Sequence, residues 1–387
     1  MYKILKLNNI ASEGLLSFDS NSYHIGDEVT SPDAILVRSY NMHEMEISTN
    51  LLAVGRAGSG VNNIPIEKMT KMAIPVFNAP GANANAVKEL VLAAILISAR
   101  NIHRAINYVN TLKDSKNLKS EVESAKKEYV GFELPNKTLG VIGLGSIGIK
   151  VANACHELGM KVIGYDPMIS IDNAINLVPG VKKTDDLNEL LKNIDILTIH
   201  IPYSNETKGF ISSKEISLMN KSSTIINLSR EEIVNTDSIV SALEKDQIDT
   251  YVTDFPKLEL IGNPDVLLMP HLGASTKEAE INCALMVANS LISFIENGNI
   301  INSVNFPDVS LVRDTEYRLT ITNLNKPNML GQFTSLLGEA NINISDLSHK
   351  NFKDIGYTIL NIETPVTDDV INQINNIDGV IKTNILS

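Results

Sequence analysis

The chain has 387 residues, 43% of them hydrophobic and 20% charged, with 33 Lys plus Arg against 45 Asp plus Glu and a formal net charge of −12. That composition sustains packed cores over two or three domains and excludes a largely disordered chain. A surplus of acid on this scale gives no general field for nucleic acid or an anionic membrane, so an anionic ligand needs a local cluster of cations, of which only seven are Arg.

In chain order, three apolar runs at 34–37, 51–54 and 74–77 read as buried parallel strands, each followed by turn residues. A helical stretch runs from 84 to about 112, with Val87, Leu90, Val91, Ala94 and Ile95 on one face. A polar Lys- and Ser-rich segment, 113–127, precedes the run TLGVIGLGSIGI at 138–149, which reads as strand, glycine turn and helix start. Strands at 161–165, 195–200, 224–228, 251–254 and 266–269 then alternate with helices, the grammar of a doubly wound parallel sheet. A long helix at 278–295 ends at Gly298, and 299–314, with Pro307 and little periodicity, reads as a linker. The last seventy residues change to strand (317–321), helix (329–340), strands (343–348, 357–363), helix (368–375) and strand (380–385), a ferredoxin-like order.

Two cysteines, Cys155 and Cys283, exclude a disulfide framework and suit a reducing compartment. The N-terminus lacks the apolar core of a signal peptide, and the run at 90–99 is far shorter than the ~20 residues a membrane span needs. The expectation is a cytoplasmic protein with no membrane and no nucleic-acid partner. No His-x-x-x-His or Cys-x-x-Cys spacing points to a metal, and no Gly-x-Ser-x-Gly elbow points to a serine nucleophile.

Gly143-Leu144-Gly145-Ser146-Ile147-Gly148 fits G-x-G-x-x-G between an apolar strand and a helix. The first glycine permits the tight turn, the second lets the backbone approach a pyrophosphate, and the third lets the helix close on the strand. The following strand ends at Asp166, 18 residues past Gly148. A carboxylate there accepts from the ribose hydroxyls and repels a 2′-phosphate, favouring NAD over NADP. The ordinary alternative is a βαβ turn with a solvated Asp.

Oxidation of a 2-hydroxy acid needs a hydride acceptor, a base for the hydroxyl proton and a cation for the carboxylate. His271, in PHLGAST at a strand's carboxyl end, is a candidate base, and Glu259 is placed to orient it and raise its pKa. Arg230, in NLSREEIV, offers a bidentate fork to a carboxylate. Singly, each is as readily a surface charge or a capping residue; together, at successive strand ends of one sheet, they form a constellation.

These residues resemble the D-isomer-specific 2-hydroxyacid dehydrogenases, most closely the phosphoglycerate-oxidising branch that feeds serine biosynthesis. The resemblance is carried by the run 55–64 (GRAGSGVNNI), the GLGSIG turn, Asn227-Leu228-Ser229-Arg230 and the run 270–276. It implies a flavodoxin-like substrate domain (1–92 with 274–303), a Rossmann-type NAD domain (93–273), a linker (304–315) and a βαββαβ ACT-like regulatory domain (316–387). By it, Arg230, Glu259 and His271 are the catalytic group. Gly143, Gly145, Ser146, Ile147, Gly148, Asp166, His200, Pro202, Thr207, Asn227, Leu228, Ser229, Asp254 and Gly273 line the NAD site. The backbone at Ser59, Gly60 and Val61 holds the substrate carboxylate, and Arg38 and Arg56 meet a substrate phosphate or else form salt bridges.

In the C-terminal module, 325–330 (NKPNML) and 340–344 (ANINI) resemble the ACT domain, with Asn328 where a Gly is usual. The resemblance implies pairing of two modules around L-serine, with Asn323, Asn325 and Asn343 as contacts, and hence a homodimer or homotetramer. A purely structural dimerisation module is the alternative. Two departures stand out: Glu231 replaces the Gly that usually follows the catalytic Arg, and the loop carrying Glu259 is short and lacks the usual Pro. The implied reaction is NAD-dependent oxidation of 3-phosphoglycerate to 3-phosphohydroxypyruvate. A dehydrogenase for another D-2-hydroxy acid and an NAD-sensing binding protein are the other readings.

Overall fold

The structure is a computed structural model that describes residues 1–386. The chain divides into two compact units, residues 1–83 with 277 onward, and residues 84–276. In the first, strands β1 (Tyr2–Leu7), β2 (Tyr23–Gly26), β3 (Ala34–Val37), β4 (Ala53–Arg56) and β5 (Val76–Phe77) form a parallel sheet in the order β2-β1-β3-β4-β5. That is the flavodoxin-like order. β3 is buried throughout and reads as an unbroken apolar run, AILV, whereas β1 and β2 are partly exposed and mix Lys and His with apolar residues. The half-exposed pair therefore carries no such sequence signal.

Helix Lys277–Asn297 packs Cys283, Ala284, Val287 and Leu291 into the core with Ile4, Leu36, Ala53 and Phe77. Among the described residues it is also the one helix long and apolar enough to cross a membrane by length and composition, with mean hydropathy 1.2.

The second unit holds β6 (Thr138–Ile142), β7 (Lys161–Tyr165), β8 (Lys182–Thr184), β9 (Ile196–Ile199), β10 (Thr224–Asn227), β11 (Thr250–Thr253) and β12 (Val266–Leu268). They lie parallel in the order β12-β11-β10-β9-β6-β7-β8. The direction of winding reverses between β6 and β9, the switch point at which such sheets take their ligands. The stretch expected as one helix to about 112 is two, Ala84–Ala99 and Ile102–Thr111, because Asn101 adopts left-handed φ of 48°. The polar segment 113–127 contains a short helix, Leu118–Ala125.

The compact units divide at 83/84 and 276/277, within about nine residues of the expected 92/93 and 273/274. Helix Ala84–Ala99 buries Val87, Val91, Ala94 and Ile95 against Val151, Ala152 and Cys155, so a cut at 92 would split one packed face.

The C-terminal module adds β13 (Tyr317–Leu324), β14 (Ile344–Phe352), β15 (Ile355–Ile362) and β16 (Val380–Leu386), antiparallel in the order β14-β15-β13-β16. Helices Met329–Glu339 and Asp368–Asn375 cover one face around Phe333, Leu337 and Ile374. Asn328, at φ 64°, takes the left-handed conformation expected of it. The other face packs on the first sheet's core through Tyr357 and Ile359.

The expected linker is not a free tether. Phe306 and Val309 are buried, and Asn305 accepts from the Val76 N–H (2.8 Å) while donating to the Ile74 carbonyl (3.0 Å). Arg318 is wholly buried and donates to the Asn361 side-chain oxygen (2.8 Å), the Asn297 carbonyl (2.7 Å) and the Leu311 carbonyl (3.0 Å). It thereby ties the module to the end of the long helix and to the linker. Replacing Arg318 by Met strands two carbonyls and is expected to cost about 2–4 kcal/mol in urea unfolding; an unchanged midpoint contradicts this role.

Candidate active site

The glycine turn after β6 has the conformations its sequence demands. Gly143 sits at φ 89°, and a Cβ on Gly148 would stand 1.9 Å from the Gly143 carbonyl oxygen, so the third glycine is needed for helix Ser146–Glu157 to close on the turn. A Cβ on Gly145 would meet nothing within 4 Å. The backbone there faces open space, as an approaching pyrophosphate requires. Asp166, at the end of β7, accepts from the Leu144 N–H (2.8 Å) and the Met168 N–H (2.9 Å), which fixes its carboxylate beside the turn.

After β9, the His200 imidazole lies 2.9 Å from the Thr198 hydroxyl, and burial pushes its pKa down to about 3, so it is neutral at physiological pH. Thr207 donates to the Pro202 carbonyl (2.8 Å) and accepts from the Ser204 N–H (2.7 Å), closing the loop. Ser229 donates to the Ile201 carbonyl (2.5 Å) and links this loop to the one after β10.

At the end of β10 the Asn227 side chain accepts from the Ser229 N–H (3.2 Å) and donates to the Arg230 carbonyl (2.9 Å). This turn presents Arg230, half-buried, with one guanidinium N–H on the Ser229 carbonyl (2.6 Å). Glu231, the departure from the family's Gly, pairs with Lys257 (2.9 Å), so its charge is met locally. Neither Lys257 nor that pair carries a sequence signal.

Asp254 follows β11 directly and is wholly buried. One of its oxygens accepts from the Leu272 N–H (3.0 Å) and the Gly273 N–H (3.1 Å); the other is buried with no partner. A Cβ on Gly273 would lie 3.5 Å from the Asp254 carboxylate and 3.9 Å from the Leu228 carbonyl oxygen. The loops after β10, β11 and β12 therefore meet, and His271 is held next to that junction. Its exposed ring packs against Phe255 with centroids 5.0 Å apart and planes at 66°, a contact the sequence reading did not foresee.

Glu259 is not brought to His271. It lies exposed in a 3-10 turn, Leu258–Leu260, and among the described residues no hydrogen bond or ion pair joins the two. The shortened loop accounts for this: the turn buries Leu260 and leaves Glu259 facing solvent.

In the first unit, no described residue accepts a hydrogen bond from the backbone N–H of Ser59, Gly60 or Val61, although Asn78 donates to the Ser59 carbonyl (2.7 Å). Three successive open donors suit an anion. Arg38 pairs with Glu280 (2.8 Å), holding that carboxyl below its usual range, and Arg56 donates to the Arg38 carbonyl (3.0 Å).

In the C-terminal module, Asn323 is buried with its side-chain oxygen unpartnered, and Asn325 donates to the Lys353 carbonyl (3.1 Å). Both sit where β15 begins at Ile355–Gly356, whereas Asn343 accepts from Glu363 beyond the other end of that strand. Eight strand residues separate the two ends, roughly 25 Å. One module therefore does not gather the three asparagines.

The open space at Gly145 and the orphaned Asp254 oxygen, an acceptor for an amide donor, fit a nicotinamide dinucleotide. The sequence profile of "D-isomer specific 2-hydroxyacid dehydrogenase, NAD binding domain" matches residues 92–273. The D-3-phosphoglycerate dehydrogenase of Haemophilus influenzae is 31% identical over 357 residues, covering 88% of this chain and 83% of that protein. The enzyme of that name from Escherichia coli K12 is 32% identical over 350 residues, covering 87% and 82%. The crystal structure of NAD+-bound 3-phosphoglycerate dehydrogenase from Entamoeba histolytica shares the fold, with TM-score 0.61 at 24% identity over 79% of this chain and 98% of that one. The chain belongs to the D-isomer specific 2-hydroxyacid dehydrogenases, as an NAD-dependent dehydrogenase.

Proposed function

We propose that the protein oxidises 3-phosphoglycerate to 3-phosphohydroxypyruvate, the opening step of L-serine biosynthesis. The observation that carries this reading is the junction at Asp254, which fastens the loop presenting His271 to the end of β11, while Asn227 holds the turn presenting Arg230 at the end of the adjoining strand β10. The relatives' names supply the substrate. NAD held at the glycine turn and Asp254 would supply the acceptor for the hydride of the carbon bearing the hydroxyl. His271 takes the hydroxyl proton, Arg230 pairs with the carboxylate, and the orphaned oxygen of Asp254 accepts from the carboxamide. The N–H groups of Ser59, Gly60 and Val61 donate to the same anionic class of ligand.

Glu259 is assigned to His271 in the substrate-bound state, which requires the 258–260 turn to move. Purified protein should form NADH from D-3-phosphoglycerate when the product is removed, and no NADH from any 2-hydroxy acid rejects the proposal.

The ACT-like module is read as a regulatory, oligomer-forming domain. β14 is an edge strand, and antiparallel pairing of two copies along it would bring Asn343 of one to the end where the other holds Asn323 and Asn325. The same assay run with L-serine tests this, inhibition that disappears in Asn343→Ala being the supporting outcome and indifference to L-serine the opposing one.

The Arg38–Glu280 pair favours a second reading, in which the substrate carries no phosphate and the true substrate is another D-2-hydroxy acid. Under the leading reading, Arg38→Ala and Arg56→Ala each raise KM for 3-phosphoglycerate by roughly tenfold or more while leaving D-lactate unaffected. Equal effects on both substrates support the second reading.

Loss of the base in His271→Ala should lower kcat by roughly two to four orders of magnitude. Glu259→Gln should lower kcat for 3-phosphoglycerate by roughly tenfold or more if that carboxylate orients His271 in the substrate-bound state. A kcat identical to wild type removes Glu259 from the site.

A further inference from the structure

A cavity of about 170 Å³ lies inside the first unit, between the helix-free face of the C-terminal sheet and the end of helix Lys277–Asn297. Its polar wall is built by strand register: Thr322 stands opposite Lys382, and Thr320 opposite Asn384, on the paired strands β13 and β16. Its remaining wall is apolar, with Pro75, Phe294, Phe306 and Leu386. The Tyr357 hydroxyl, also lining it, is committed to the Gly298 carbonyl (2.7 Å). The side chains of Thr322, Lys382 and Asn384 are committed to nothing: none makes a hydrogen bond or ion pair with another described residue.

A half-buried ammonium without a counter-charge is costly, and burial lowers the pKa of Lys382. The chain has carboxylates in surplus, yet none is placed here. One cation, one amide and the hydroxyls of Thr320 and Thr322 on one wall of a cavity whose remaining wall is apolar match an amphipathic monoanion. A phosphate dianion would find a single cation and no use for the aromatic walls. A zwitterionic amino acid would set its ammonium near Lys382.

We propose that this cavity binds a small monocarboxylate with an apolar body, its carboxylate on Lys382, Thr322 and Asn384 and its body against Phe294, Phe306 and Leu386. The volume suits about six to nine heavy atoms, since a dry cavity of about 150 Å³ takes up benzene. Such a ligand touches both the C-terminal sheet and the helix end beneath it, so its binding stabilises the docked module by mass action.

Calorimetric titration and thermal unfolding of the full chain test the site, with 3-methylbutanoate, its uncharged amide 3-methylbutanamide, and inorganic phosphate as probes. The acid should bind in the millimolar range and raise the unfolding temperature, with the amide and phosphate at least about tenfold weaker. Lys382→Met should lose the preference for acid over amide, and Lys382→Arg should keep it. No binding of the acid to wild type, or equal binding of acid and amide, overturns the proposal. Tighter binding of phosphate overturns the ligand class. The acid–amide comparison in wild type decides the matter even where Lys382→Met fails to fold.

Discussion

One buried carboxylate organises the second unit's working end. Asp254 has no exposure, yet it stands where a strand gives way to a loop, and it receives two backbone N–H groups from the neighbouring loop. Burying a carboxyl group there without such donors would cost several kcal/mol. The two hydrogen bonds offset that cost, and through them the segment after β12, which is otherwise a short run of exposed turn, is clamped onto the segment after β11. His271 inherits its place from that clamp. Asn227 does the same at the end of the adjacent strand, folding the chain back so that Arg230 emerges beside the same junction. Chemistry is thus delegated to loops while geometry is kept by strand ends.

The glycine turn works by the opposite means, through absent side chains. Gly148 is excluded from carrying a Cβ by the Gly143 carbonyl, and Gly145 leaves a space that the protein itself does not fill. Asp166 then holds the turn by its Leu144 N–H, so one carboxylate at the end of the next strand shapes the glycine turn.

Much of this was legible in the residues. Six strands of the seven-stranded sheet were legible, the central ones because they are buried on both faces and spell continuous apolar runs, whereas the exposed edge strand β8, KKT, gave no such signal. GLGSIG, Asp166, Arg230 and His271 were visible because their chemistry requires those residue types at strand ends. What escaped has physical causes. β1 and β2 are partly exposed and mix polar with apolar residues. The break at Asn101 is a single left-handed residue inside an otherwise helical pattern. The supposed linker looks polar because its anchors are few, and one of them, Asn305, does its work through contacts with residues some 230 positions away. Glu259 was named by the resemblance and by its place in a loop ahead of His271, and neither says which way a short turn points its side chain. The Glu231–Lys257 pair lies between two loops that only the fold brings together.

The clamp is open to direct measurement through amide hydrogen exchange at Leu272 and Gly273, followed alongside turnover in wild type and in Asp254→Ala. Slow exchange of both amides in wild type, despite the exposure of Leu272, with loss of that protection and of turnover in a variant whose β6–β12 sheet stays protected, is the result the structure requires. Protection or turnover that survives the loss of Asp254 would contradict it.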